Sequence, residues 1–299
     1  MPAAHSHRPL IFGEVLFDTF PDGSVVLGGA PFNVAWHLAG FGLNPRFISR
    51  VGDDELGRRV LAAMGAWQMD TTGVQIDPAH PTGRVSVSVE DGEPSFDILP
   101  QQAYDFIEPP GQLPPGPALL YHGSLIARAA RSRETLASLR DNATAGVFVD
   151  INLRPPWWDR ATVEWALGGA RWVKLNHHEL ATVLGHDSVP APELAAAADS
   201  LRRCYELALV VVTRGEQGAL FCSAGTVLTV APPVVAEVVD TVGAGDAFAA
   251  VTLTGLIKGW PLETVAQRAV AFAAALCRQR GATAPDHELY RETLRKWEA

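Results

Sequence analysis

Four residues near the C-terminal end, Gly243, Ala244, Gly245 and Asp246, place a nearly bare backbone and a carboxylate where a helical pattern begins. Amide N–H groups in such a turn form a concave set of donors, and the helix dipole adds roughly half a positive charge there. An anion held by those amides would lie within reach of Asp246, which could take a proton from a hydroxyl. That combination suits phosphoryl transfer: the amides stabilise charge on the transferring group and the carboxylate activates the acceptor. On these four residues alone a plainer reading stays open, in which Asp246 only complements the dipole.

Other chemistries find little support. The lysines are Lys174, Lys258 and Lys296, and none stands in a G-x-x-x-x-G-K-[ST] phosphate loop. C-x-x-C, H-E-x-x-H and G-x-S-x-G are absent, and "GGAPFN" is not a G-x-G-x-x-G turn. His177 and His178 lack partners at metal-ligand spacing and read as ordinary helix-start residues. With 24 Lys and Arg against 33 Asp and Glu, the net charge of −9 argues against a nucleic-acid or anionic-membrane surface. An anionic substrate would therefore need local groups to hold it. No apolar run reaches the ~18 residues of a membrane span, and the start of the chain does not read as a secretory signal. Cys204, Cys222 and Cys277 have no metal spacing, and the latter two lie in apolar runs, which fits free thiols in a reducing compartment. A cytoplasmic protein is expected.

The elements that must position the turn follow from hydrophobic periodicity. "RPLIFGEVLFDTF" reads as a buried opening strand, "APFNVAWHLAGFG" as a helix with Pro31 at its start, and "SRETLASLRDNA" and "APELAAAADSLRRCYE" as further helices. Between them "GVFVDIN", "RWVKLN" and "LALVVVTRG" are continuous apolar strands. Two helices near 245–258 and 262–279 complete the pattern. This alternation predicts an α/β fold with a mostly parallel sheet covered by helices on both faces. "RVSVSVE" alternates strictly and "DGEP" turns it back, so residues 82–99 form a half-exposed antiparallel hairpin. No linker interrupts the chain, and residues 1–299 read as one domain with the hairpins as additions over one edge.

Several segments together resemble the ribokinase-like (PfkB-type) carbohydrate kinases: "GEVLFD", "GGAPFNVAWHLAGFG", "VGDDELG" and "DTVGAGDAF", with "DINLRPPWW", "KLNHHEL" and "VTRGEQGAL" in order between them. The resemblance implies a three-layer αβα fold with a small β-sheet lid built from segments near 16–30 and 82–100. It makes Asp246 the base and the amides of Gly243, Ala244 and Gly245 the anion hole. It assigns Asp18, Gly28, Gly29 and Asn33 to the sugar, although Asp18 alone would read as a strand-end carboxylate and Asn33 as a helix-start residue. Asn176 and Glu179 of N-x-x-E would organise Mg²⁺ and the ATP phosphates through water, and Thr213, Arg214 and Gly215 would meet the nucleotide. Asp240 resembles part of the monovalent-cation (K⁺) site of some members. Phe96 would face the sugar or pack the lid, and lids of this kind often meet across a homodimer.

Among these kinases the segments lean towards fructokinases. Asp150, Asn152 and Arg154 form a D-x-N-x-R piece shared with 2-keto-3-deoxygluconate kinases, and the Arg154 guanidinium would suit a sugar carboxylate, a phosphate or a protein carboxylate. Phe32 and Trp36 stand where smaller residues are common. A kinase acting on a small-molecule sugar and ATP is the favoured reading, a 2-keto-3-deoxygluconate kinase the second, and a sensor that keeps the fold without turnover the third.

Overall fold

The structure, a computed structural model, describes residues 8–90, 93–111, 113, 118–233 and 237–298. Thirteen strands and nine helices follow in chain order within them: β1 (Leu10–Phe12), β2 (Leu16–Thr19), β3 (Val25–Gly28), α1 (Ala30–Gly40), β4 (Arg46–Gly52), α2 (Glu55–Ala66), β5 (Val74–Asp77), β6 (Gly83–Glu90), β7 (Glu93–Ile98) and β8 (Leu119–Gly123). Then come α3 (Ala130–Asp141), β9 (Gly146–Asp150), α4 (Arg160–Leu167), β10 (Trp172–Asn176), α5 (His177–Leu184), α6 (Leu194–Cys204), β11 (Leu209–Thr213), β12 (Ala219–Ser223), β13 (Thr226–Val230), α7 (Ala244–Lys258), α8 (Leu262–Leu276) and α9 (Glu288–Glu298).

Nine strands form one sheet in the order β13-β12-β11-β10-β9-β8-β1-β4-β5. All pairs from β11 to β5 are parallel, and β12 and β13 return antiparallel at one edge. Successive strand residues serve opposite cores, as a sheet covered on both faces requires. Ile11, Phe47, Tyr121, Phe148 and Val211 belong to one buried cluster with α1, α7 and α8. Leu10, Phe12, Ile48, Leu120, Val149 and Val210 belong to the other with α3, α4 and α6. The expected αβα layering is present.

The opening run is not one strand. It breaks at Gly13–Val15, and its two halves enter different sheets. Strands β3-β2-β6-β7 form the smaller sheet, with β2 and β6 parallel and the outer pairs antiparallel, which brings Leu16–Gly28 beside Gly83–Ile98. The turn at Asp91–Gly92 lies outside the described residues. β5 and α9 carry no expectation from the sequence. α9 docks through Tyr290, which fills the space beside Gly40 and hydrogen-bonds His37 across 2.8 Å.

The chain leaves β1 in both directions, to β4 and β5 on one side and to β8 through β11 on the other. In an open parallel sheet that reversal leaves a crevice at the carboxyl ends of the strands, where ligands bind. The segments after β1, β8, β9, β10 and β11 all begin there.

Candidate active site

Helix α7 starts on Gly243, whose φ of 77° is left-handed. A Cβ there would also stand 2.4 Å from the Cα of Ala282, so position 243 requires glycine on both counts. Its first-turn amides have no intrahelical acceptor. The Ala244 N–H already donates to the Thr241 carbonyl across 3.2 Å, whereas the Gly243, Gly245 and Asp246 N–H groups have no backbone acceptor and stay open donors.

Asp246 sits half-buried in that first turn, and α1 packs alongside α7. The Asn33 side-chain amide donates to Asp246 Oδ2 across 2.8 Å, while Asn33 Oδ1, buried, has no protein partner. Gly29 is the N-cap of α1 with φ 108°, and a Cβ on it would press to 2.9 Å from the Glu14 carbonyl. Gly28 lies beside Asp18: a Cβ there would meet Asp18 Oδ2 at 3.8 Å. Asp18, Gly28, Gly29, Asn33 and Asp246 therefore converge from β2, β3, α1 and α7.

Loss of water pushes the Asp246 carboxyl up to about 6; nearby Asp150 adds to the rise, while Asn33, Lys174 and Arg154 oppose it. The same burial pushes Asp18 up, again against the field of Arg154. Arg154 is exposed, and its field reaches Glu14, Asp18, Asp150 and Asp246, four carboxyls around one crevice.

Phe96 is 50% exposed. Ladder partners share a sheet face, so the register of β2, β6 and β7 puts Asp18 with Val85 and Ile98, and Phe96 with Val87, on one side of the small sheet. Phe96 thus extends the face that carries Asp18.

Asn176 ends β10 and caps α5. Its Oδ1 accepts the Glu179 N–H at 2.8 Å, and Glu179 Oε2 accepts the Asn176 N–H at 2.8 Å, a reciprocal capping box. Glu179 Oε1 also accepts the Leu153 N–H at 3.1 Å. Burial raises the Glu179 carboxyl, and the Asn176 N–H, Lys174 and the Leu153 N–H restrain it. Thr213, the next strand end, pairs with Asn176, and Arg214 and Gly215 follow, with the Arg214 Nη2 donating to the Gln217 carbonyl at 2.8 Å. Asn176, Glu179, Thr213, Arg214 and Gly215, the residues expected on the nucleotide side, thus lie on two adjacent strand ends.

Among the described residues no group of three or more His, Cys, Asp or Glu side chains is gathered for a metal. Glu179 and Asp240 are each engaged with backbone amides, Asp240 accepting from Val242 at 3.0 Å and Gly281 at 2.9 Å and so joining two loops. Direct caging by these two is not what the geometry offers. Mg²⁺, which keeps several waters and needs few carboxylates, fits Glu179 through water.

Sequence reasoning passed over Lys174, Tyr121, Glu14 and Arg128. The Lys174 Nζ contacts both oxygens of Asp150 at 2.8 and 3.0 Å, and the Tyr121 hydroxyl donates to the same carboxylate at 3.1 Å. A charge of each sign in "WVKLN" and "GVFVDIN", two buried neighbouring strands, was the available signal; the residues are ladder partners. Glu14 and Arg128 are buried, each with one side-chain atom lacking a partner, Oε2 and Nη1.

Two packed helical layers on a parallel sheet, with a four-stranded cover beside the strand ends, define a ribokinase-like protein. The profile of the pfkB family carbohydrate kinases matches residues 10–289, and the chain belongs to that family of ATP-dependent carbohydrate kinases. It is 35% identical over 262 residues to a fructokinase of Klebsiella pneumoniae, covering 82% of this chain and 83% of the relative. A fructokinase of Salmonella typhimurium is 32% identical over 292 residues, 92% of each chain. The structure of fructokinase from Vibrio cholerae O395 with fructose, ADP and calcium ion bound superposes with a TM-score of 0.81 at 28% identity, over 96% of this chain and 98% of that one. No helix among the described residues is long and apolar enough to cross a membrane.

Proposed function

We propose that this kinase is a fructokinase, transferring the γ-phosphate of ATP to a fructose hydroxyl within one domain spanning residues 1–299. The observation that carries the reading is Asp246, recessed at an open helix N-terminus, hydrogen-bonded to Asn33 and held near pH 6. A carboxylate with that affinity for protons is ionised at neutral pH and still basic enough to accept one. Fructokinase relatives over most of the chain support the choice of sugar.

Asp18 and Asn33 orient the sugar, Asp18 accepting hydroxyl protons and Asn33 Oδ1 a further one, while Gly28 and Gly29 let the backbone approach. Asp246 takes the acceptor hydroxyl proton as that oxygen bonds to the γ-phosphorus and the bond to the β-phosphate oxygen breaks, releasing ADP. The Gly245 and Asp246 amides, continuing the Gly243–Ala244 turn, meet the charge on the transferring group. Asn176, Glu179, Thr213, Arg214 and Gly215 line the nucleotide side. When bound, Mg²⁺ would neutralise phosphate charge, with Glu179 holding its waters. The Asp240 loop is the place for a monovalent cation such as K⁺. The small sheet with Phe96 covers the sugar and excludes water, and it is the face through which a homodimer forms.

Coupled ADP release with Mg·ATP against fructose, ribose, glucose, 2-keto-3-deoxygluconate and adenosine tests the reading. Fructose is expected to have the highest kcat/KM. Preference for the acidic sugar would instead make Arg154 its carboxylate clamp, and binding without turnover would leave a sensor.

A further inference from the structure

Lys174 is a buried ammonium in the middle of an apolar strand, 7% exposed. Its Nζ grips both Asp150 oxygens, and Tyr121 holds that carboxylate from β8. The same Nζ lies directly under the phosphate turn: a Cβ on Gly245 would come within 3.2 Å of it. An ammonium has three protons, and Asp150 does not occupy them all. Isolated burial of this charge would be costly, and an apolar pair of similar volume would serve stability as well or better. The fold nevertheless places it between Asp246 and Glu179, both of which feel its charge.

We propose that the Lys174–Asp150 pair is a positioning device for phosphoryl transfer: Asp150 pins Lys174, which supports the Gly245 turn from below and supplies a fixed positive charge to the base and the anion hole. This inference rests on the kinase reading with Asp246 as base. Lys174 acts through Gly245 and Asp246, and the pair sets the pH at which the base works. The groups facing Asp246 are Asn33 on α1, Lys174 on β10, Asp150 on β9, Arg154 beyond it, Tyr121 on β8 and Glu14 beyond β1. Within this set only Lys174 and Asp150 are opposite charges locked together, so removing either one moves the base in opposite directions.

The test is the pH dependence of kcat/KM, for the sugar that is phosphorylated, in Lys174→Gln, which removes the charge, and Asp150→Asn, which is near-isosteric. Losing the ammonium is expected to raise the acid limb by about one pH unit, and losing the carboxylate to lower it. Plateau kcat in Lys174→Gln is expected to fall at least about tenfold, towards the ~10²-fold scale of a lost anion-hole donor. Limbs that coincide with wild type, or shift in the same direction, would overturn the proposal. If a single variant fails to fold, the neutral pair Lys174→Met with Asp150→Asn decides: reduced plateau kcat supports the device, and wild-type kcat refutes it. Failure of the underlying reading looks different, since wild type would then phosphorylate no sugar or Asp246→Asn would stay active.

Discussion

Asp246 is held by opposed neighbours, and its environment makes a pH prediction. The carboxyl must be ionised to act, so log kcat/KM is expected to rise with unit slope and level off above about pH 6. Asp246→Asn should lower kcat at least ~10²-fold while leaving ATP binding largely intact, as read by calorimetry beside the steady-state assay. Near-normal turnover in that variant would remove Asp246 from the chemistry. Glu14 makes a second prediction, this time on stability. Burial pushes it up to about 7 from 4.5, against the field of Arg128. Between those values the folded chain binds more protons than the unfolded one, so this group's contribution is present at low pH and is lost as pH rises through about 7. Glu14→Gln should therefore melt higher than wild type at pH 8, with the advantage vanishing by pH 5. A melting difference independent of pH would contradict the assignment.

At the scale of elements, the turn into α7 carries the most exacting geometry. Gly243→Ala must force a Cβ against Ala282 in a left-handed conformation. A cost of about 1–3 kcal/mol is expected for the backbone strain, with kcat falling because the amides of the turn shift, as denaturant titration and initial rates would show. How legible the elements were depended on what distinguishes them locally. Long apolar strands and the GAGD turn announce themselves, because continuous burial and a bare backbone both demand particular residue types. The break at Gly13–Val15 did not, since apolar residues flank Gly13 and Glu14 on both sides and only the third dimension sends the two halves to different sheets. Lys174 was hidden for a related reason: its partner is on the next strand, 24 residues away, and register is not written in either strand alone. The capping role of Glu179, by contrast, is local, and N-x-x-E states it outright.

For the whole molecule, a net charge of −9 surrounds a site that must take an anionic nucleotide. The general field repels ATP, and salt screens those distant surface charges more than it screens buried ones. KM for Mg·ATP is expected to hold steady or fall as tetramethylammonium chloride is raised from about 10 to about 150 mM at constant K⁺. A steep rise would show capture by an exposed basic surface instead.

The Asn33–Asp246 hydrogen bond spans 213 positions of chain. Residues proposed to cradle the acceptor sugar, Phe96 aside, fall before position 34, whereas the base arrives only with α7, after every strand of the sheet has been made. A ribosome would thus finish the sugar cradle early and the reactive group last, so a nascent or truncated chain could not waste ATP before its acceptor pocket existed. The same division suggests where to graft: exchanging the first segment between relatives, with Asn33 kept to hold Asp246, would retune the acceptor.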